Sequence, residues 1–415
     1  MKYQDVFIAG GFPKHTYNPR ADLGLEQRLR ESREKLCKLV TVTGQTKSGK
    51  TVLARSIFPR EECVWVDGGS VSAEDDFWQV VLEQLDLFQT TEEETGSGTT
   101  ATIAAKGNAG ANFIVAKGSA EVGGELAKAR SQSRTRARSV SPKIAALHGL
   151  SSSQLPVVID DFHYLPKQMQ GHIVRALKQL IFDGLPVIII AIPHRRYDAV
   201  RVEKEMTGRV LSVNVPVWTN EELTFIPATG FELLGLPLDR PIPTRMAAEA
   251  IGSPHLVQDF CRTTCRMAGV GNGQPYLDKV DLERVFRDVA DISGRPIFDK
   301  LARGPRQRSD RIQRKLTDGR VVDIYQLVLH ALARLRPGLV SIEYEELRSA
   351  IRDVADTQVP QLQEVARVLK HMATIAASDE SSTPVIDFEE DEKKLHITDP
   401  FFAFYLRWGQ LSDEQ

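Results

Sequence analysis

Long apolar runs are absent from this 415-residue chain. None approaches the ~18 residues that a membrane-crossing helix needs, and the opening MKYQDVFIAGGF has no charged leader ahead of an apolar core. The expectation is a cytoplasmic protein with no membrane partner. Cysteine is scarce too. Cys37, Cys63, Cys261 and Cys265 are too few, and too apolar in setting, for a disulfide framework. Cys261 and Cys265 stand one helical turn apart, but no second pair or histidine cluster completes a metal site, so they read as core thiols. An excess of either charge is also missing: 53 Lys and Arg against 55 Asp and Glu leave a formal charge of −2. A chain that is basic overall is excluded, and any nucleic-acid contact must come from local patches. With 42% hydrophobic and 26% charged residues, a chain of this length holds two or three globular domains, each with its own core.

Against that ordinary background one string stands out. Gly44-Gln45-Thr46-Lys47-Ser48-Gly49-Lys50-Thr51 is G-x-x-x-x-G-K-T, preceded by the apolar run Leu39-Val40-Thr41-Val42 and followed by the helix-forming Val52-Leu53-Ala54-Arg55. Strand, glycine loop and helix in that order make a phosphate-binding loop. Gly44 and Gly49 let the backbone turn so that successive N–H groups point inward and cradle phosphate oxygens, and the helix N-terminus adds its partial positive charge. Residues Gly44 to Val52 are thus expected to hold the phosphates of ATP, with Lys50 on the β- and γ-phosphates and Thr51 on Mg²⁺. The complementary acids come at Leu155-Pro156-Val157-Val158-Ile159-Asp160-Asp161, the form of a buried strand carrying carboxylates at its C-terminal tip. Asp160 would hold the metal and Asp161 would face the attacking water. The plainer alternative is a buried strand capped by acids before the turn Phe162-His163-Tyr164.

Alternation continues around these two elements. Cys63 to Asp67 reads as a strand, Ser72 to Phe88 as a helix with Ser72 at its N-cap, Gln168 to Phe182 as an amphipathic helix ended by Gly184, and Pro186 to Ile192 as a buried strand. The fold class is α/β, a largely parallel sheet with its ligand at the strand C-termini. Residues 91–147 interrupt the pattern. Within them Thr100 to Ala105 and Asn112 to Ala120 suggest an exposed hairpin, and 126–147 carry Lys128, Arg130, Arg134, Arg136, Arg138 and Lys143 without one acid. Such a stretch suits DNA phosphates, an acidic face of a neighbouring subunit, or simply solvent.

Taken together, these motifs resemble the AAA+ and STAND branch of P-loop ATPases, and within it the archaeal-type and origin-recognition-like members. Tyr17-Asn18-Pro19-Arg20 with Glu26 resembles the short box over the adenine. Trp218-Thr219-Asn220-Glu221-Glu222-Leu223 resembles the start of the helical lid, Ala250 to Val257 the sensor 2 segment, and Asp399-Pro400-Phe401-Phe402-Ala403-Phe404-Tyr405 a D-P-h-h-x-F-Y ending. The resemblance implies an ATPase core over 1–217 with the insertion 91–147, a helical lid and linker over 218–318, and a winged-helix-like domain over 319–415. It implies ATP and Mg²⁺ as ligands, Tyr17 and Arg20 near the base, and a homo-oligomer completed by an arginine finger, with Arg209, at the end of a helix expected over Tyr197 to Arg209, chosen over Arg195, Arg196 and Arg201.

Departures from the family pattern bear on rate. His255 stands where sensor 2 usually has arginine, Asp161 where many hydrolytic members have glutamate, and sensor 1 falls near Pro193 or His194. Each weakens hydrolysis more than binding, so turnover is expected to be slow. At the other end, helices over Val322 to Leu335, Ile342 to Val354 and Leu362 to Ala376 would form the winged fold, the third carrying Arg367, Lys370 and His371. The segments Thr383 to Phe388 and Lys393 to Thr398 would be its wing, tipped by Glu389-Glu390-Asp391-Glu392, acids that repel phosphates. Two functions follow: a nucleotide-dependent oligomeric switch that activates a separate effector protein in bacterial defence or stress signalling, or an initiator or transposition-regulator type ATPase assembling on duplex DNA. A second basic tract, Arg303, Arg306, Arg308, Arg311, Arg314, Lys315 and Arg320, diluted by Asp310 and Asp318, reads as a linker, and the two basic tracts are where the functions part.

Overall fold

The computed structural model describes residues 1–34, 37–92, 100–105, 141–192, 206, 208–236, 238–239, 241–271, 280–306, 311–356, 359–377, 384–390 and 392–409. After two short helices, α1 (Tyr3–Val6) and α2 (Leu25–Glu31), the β-branched run at β1 (Leu39–Gly44) is buried along its whole length. It leads through the glycine loop into α3 (Lys50–Ile57), then β2 (Val64–Asp67) and α4 (Glu74–Gln84). Next come β3 (Leu87–Glu92), β4 (Thr100–Ala105), α5 (Pro142–Ser153), β5 (Val157–Asp160), α6 (Lys167–Phe182), β6 (Val187–Ala191) and β7 (Val210–Val215). Strands β2, β5, β6, β1 and β7 lie side by side in that order, every pair parallel. Because both faces of such a sheet are covered, its strands carry continuous apolar residues rather than alternating ones. Phe77, Trp78, Ile173 and Leu177 cover one face and Leu29, Leu53 and Ile57 the other, each burial stabilising by about 1.5–3 kcal/mol.

Two expectations need correction. The helix expected from Ser72 to Phe88 is shorter at both ends. Its cap works from inside: the Asp76 carboxylate accepts from Ser72 N and Ala73 N, so Ser72 is not the capping side chain. Asp86 then takes a left-handed conformation (φ 54°) and turns the chain into β3. That strand pairs antiparallel with β4, Leu87 opposite Ala105, so the hairpin partner of residues 100–105 is 87–92. The expected partner, 112–120, lies outside the described residues. The second correction concerns Arg209, expected at the end of a helix. Its N–H closes a turn onto Met206 O (2.9 Å) directly ahead of β7, whose Val-Leu-Ser-Val-Asn-Val alternation pairs along β1 from Leu39 opposite Val210 to Gly44 opposite Val215.

Beyond the sheet the chain is mainly helical: α7 (Asn220–Leu233), α8 (Pro241–Glu249), α9 (Pro254–Met267), α10 (Leu282–Ser293) and α11 (Arg295–Arg303). A small hairpin, β8 (Arg314–Lys315) and β9 (Val321–Val322), precedes α12 (Ile324–Leu335), β10 (Ser341–Glu343), α13 (Tyr344–Val354) and α14 (Leu362–Ala376). Strands β11 (Ile386–Glu389) and β12 (Lys394–Ile397) join β10 in an antiparallel sheet ordered β10-β12-β11, and α15 (Pro400–Trp408) follows. One continuous buried cluster runs from Leu223 and Phe260 through Phe286, Leu329 and Leu369 to Phe404. Val6 and Phe7 belong to it. Phe7 seats against α7 only because residue 230 is glycine: a Cβ there would lie 2.2 Å from the Phe7 ring. No helix among the described residues is long and apolar enough to cross a membrane.

Candidate nucleotide-binding site

The site forms at the end of β1, across β6 from the neighbouring ends of β5 and β2. Gly49, at φ 88°, turns the loop into the first residue of α3, a conformation open to glycine and closed to most other residues. At Gly44 a side chain would meet Val215 O at 2.7 Å and Ser48 Oγ at 2.9 Å, so the loop closes tightly only on glycine. Lys50 is buried, and its Nζ donates to Gly44 O (2.9 Å) and Gln45 O (2.8 Å). Burial holds that ammonium down at about 8, while the Asp161 and Asp160 charges pull the other way. Ser48 Oγ is buried with no hydrogen-bond partner among the described residues, an orphan polar atom inside the loop that a phosphate oxygen would satisfy.

The neighbouring helix residue meets the acids. Thr51 Oγ1 lies 3.3 Å from Asp160 Oδ1, which also accepts from Asp161 N at 3.0 Å. Burial, then the Asp161 charge, pushes the Asp160 carboxyl up to about 6. Asp161 sits at φ 48°, and burial followed by the Asp67 charge raises its carboxyl as well. Asp67, at the tip of β2, stands opposite Asp160 in register. The Asp67 charge is felt at both carboxyls, but no three acids stand close enough to form a metal-holding group among the described residues, so the pair open to a divalent cation is the Thr51 hydroxyl with Asp160.

A cavity of about 370 Å³ extends from the glycine loop between the N-terminal segment and the lid. Lys47, Ser48, Gly49, Thr51 and Val52 line its loop end, whereas Gly44, Gln45, Thr46 and Lys50, with the carboxylates Asp160 and Asp161, are not part of the wall. Tyr17 lines the far end; its hydroxyl donates to Glu26 Oε1 (2.9 Å) and lies 3.3 Å from Ser56 Oγ, and burial pushes it up to about 12. Arg20 also lines the wall, but its guanidinium is committed to the hinge before the lid: Nε to Glu222 Oε1 (2.8 Å), Nη1 to Pro216 O (2.9 Å) and Nη2 to Val217 O (3.2 Å). His255 opens α9 on the lid side. Burial, with the Lys47 charge behind it, pushes the imidazole down to about 4, so it is neutral at pH 7.

Some wall residues carried no recognised signal. Trp218 Nε1 donates to Ser48 O at 2.8 Å and its ring underlies the Arg20 guanidinium at 4.7 Å, tying hinge, loop and N-terminal segment together. Gln258 of α9 accepts from Ile8 N (3.1 Å) and donates to Thr16 Oγ1 (2.7 Å), which fixes the segment that roofs the cavity. The turn Gly10-Gly11-Phe12-Pro13 in that segment was the available cue. Arg209 is remote. Leu39 N donates to Arg209 O at the opposite end of β1 from Gly44, roughly 17 Å away at ~3.3 Å per strand residue. Its guanidinium lies over Phe182 at 5.0 Å. The rival finger residues Arg195, Arg196 and Arg201, and the sensor 1 positions Pro193 and His194, lie outside the described residues.

No family model matches the sequence, and no curated protein matches it. Among solved structures it is similar to a Walker-type ATPase of Pyrococcus abyssi, with 15% identity, a TM-score of 0.50, and coverage of 92% of this chain and 94% of that one. The chain has a P-loop ATPase fold. The five-stranded parallel sheet with the glycine loop after its first strand agrees with that fold. Two further solved structures, both from Aeropyrum pernix, are similar at lower scores. The ORC2 protein in ADPNP-ADP complexes gives 13% identity and a TM-score of 0.49 over 97% of this chain and 95% of that one. The ORC1 protein in complex with DNA gives 14% and 0.46 over 98% and 96%.

Proposed function

We propose that the chain binds ATP with Mg²⁺ at the glycine loop and hydrolyses it slowly. The observation that carries this is the meeting of Thr51 and Asp160 at 3.3 Å directly behind a loop whose backbone is turned by Gly44 and Gly49. The N–H groups of that loop and the Lys50 ammonium would hold the phosphates, and Thr51 and Asp160 the metal. Mg²⁺ bound there supplies charge neutralisation for the leaving phosphates. Asp161, raised by burial and by Asp67, is suited to orient a water and accept its proton. Its short side chain and the neutral His255 support slow turnover. Tyr17 and the N-terminal segment would enclose the base. Isothermal titration of wild type and Lys50→Ala with Mg·ATP tests the reading: the variant is expected to lose binding, and retained affinity counts heavily against the site.

The finer reading is a nucleotide-dependent oligomeric switch that activates a separate effector protein, in bacterial defence or stress signalling. Because Arg209 is far from its own glycine loop, a finger role for it requires a second copy, and that favours a homo-oligomer. The order helix, strand, helix, helix, strand, strand from α12 to β12 supports a winged-helix module. Its charges favour a protein partner over DNA. Arg311 pairs with Asp323, Arg314 with Glu364, Lys315 with Asp356 and Arg320 with Asp318. On α14, Lys370 pairs with Glu390 and His371 bonds to Tyr325. Sizing the protein with ATP, with and without duplex DNA, separates the readings. Assembly on ATP alone is expected. Assembly only on duplex, with affinity falling about one log unit per log salt for each phosphate neutralised, would replace the switch with the DNA-assembly reading.

A further inference from the structure

A second cavity, of about 310 Å³, opens on the C-terminal unit between the turn joining β8 to β9 and the ends of α12, α13 and α15. Arg320, Arg334, Arg336 and Arg407 line it, with the buried His330. Asp318 is the acid on that wall, and Arg320 already holds it. Arg407 is half-buried: its Nε donates to Pro337 O at 3.0 Å, and Glu249, outside the wall, lies 3.9 Å from Nη1. Burial lowers the Arg407 guanidinium, and the neighbouring Arg336 charge lowers it further. Neither Arg334 nor Arg336 has an ion-pair partner among the described residues.

Charge balance gives the class of ligand. The helix ends at Leu335 and Trp408 bring about half a negative charge each to the same place. Even with those ends, Asp318 and Glu249 counted, the four guanidiniums leave an excess of about one positive charge, and of about two on the wall itself. Guanidinium forks match phosphate oxygens in pairs, and a phosphate monoester carries about the charge required. The volume exceeds that of a bare ion and suits a small molecule. Leu316, Ala333, Val354 and Leu406 are the apolar residues of the same wall, Leu316 and Leu406 largely buried beneath it. We infer that this cavity binds a phosphate-bearing small molecule of mononucleotide size, its phosphate on Arg334, Arg336 and Arg407 and its uncharged part against Leu316, Val354 and Leu406. The cavity shares no lining residue with the glycine-loop site, so the inference stands whether or not that site binds ATP.

The test uses the full chain carrying Lys50→Ala, which silences the glycine loop, and titrates it calorimetrically with AMP, with adenosine and with a short duplex DNA. Saturable binding of AMP and none of adenosine is expected. Arg334→Ala combined with Arg336→Gly should weaken AMP at least tenfold. Arg336 occupies the left-handed region at φ 47°, so glycine there removes the cation while relieving the backbone, and the melting temperature should hold or rise. AMP affinity unchanged in that folded double variant, or no saturable AMP binding at all, overturns the inference. Binding of the duplex but not of AMP, lost in the double variant, would assign the arginines to nucleic-acid phosphates and overturn it equally.

Discussion

Replacing Lys50 by methionine should make the nucleotide-free protein more stable while removing its affinity for ATP. The side chain is 8% exposed, and burial holds its ammonium at about 8 instead of the ordinary 10.5. At ~1.4 kcal/mol per pH unit, carrying that charge costs the folded state about 3 kcal/mol at pH 7. Methionine removes the charge with little change in volume but gives up the hydrogen bonds to Gly44 O and Gln45 O, leaving a net gain of about 1–2 kcal/mol. The folded value lies below the unfolded one, so between about pH 8 and 10.5 the folded wild type binds fewer protons and gains stability as pH rises. The advantage of methionine is therefore largest below pH 8 and is gone by about pH 10. Calorimetric melting at pH 7 and pH 9.5, with and without Mg·ATP, measures all of this. Wild type should rise with ATP and the variant should not. A variant less stable than wild type at pH 7, or an advantage unchanged at pH 9.5, refutes the buried-charge account.

Three other outcomes follow from the same geometry. Asp161→Asn should keep ATP and lose turnover, read by phosphate release; undiminished release would remove Asp161 from the chemistry. Lowering the pH through about 6 should weaken Mg·ATP binding as Asp160 protonates. Its raised folded value means that this group makes the metal-free protein more stable over the same fall, and Asp160→Asn should flatten both trends in titration and melting curves. Arg20→Ala strands Glu222 and two hinge carbonyls and should destabilise by about 2–4 kcal/mol, with faster amide exchange over 216–223; unchanged exchange there would show that the guanidinium does not hold the hinge.

What could be read from the chain was whatever is local and strongly patterned. The glycine loop, the strand ending in Asp160 and Asp161, and the buried runs at β1 and β6 each declare themselves within a dozen residues. The edge strand β7 did not. Its alternation of Val and Leu with Ser and Asn follows a stretch of arginines that reads as helix, and only pairing with β1 fixes it as strand. The pairing of the basic tract was hidden for a related reason. Arg314 and Glu364 are 50 positions apart, a pair that becomes visible only when α14 packs beside the β8–β9 hairpin. Trp218 read simply as the start of the lid, because nothing in its neighbours foretells a bond to a carbonyl 170 residues earlier. His255, expected at the sensor 2 position, stands on α9 at the cavity wall, and its neutrality is enforced by burial, which sequence does not show.

That tryptophan bond gives the molecule a mechanical character. The described residues of the lid and of the elements after it share one buried cluster, with Val6 and Phe7 of the N-terminal segment in it, so a rotation at Pro216 to Thr219 would carry them together as an arm. Its short end is pinned to Ser48, and its long end is the α14 face. A sub-ångström adjustment of the loop would therefore be geared up into a larger sweep at the far tip, without any rearrangement inside the arm itself.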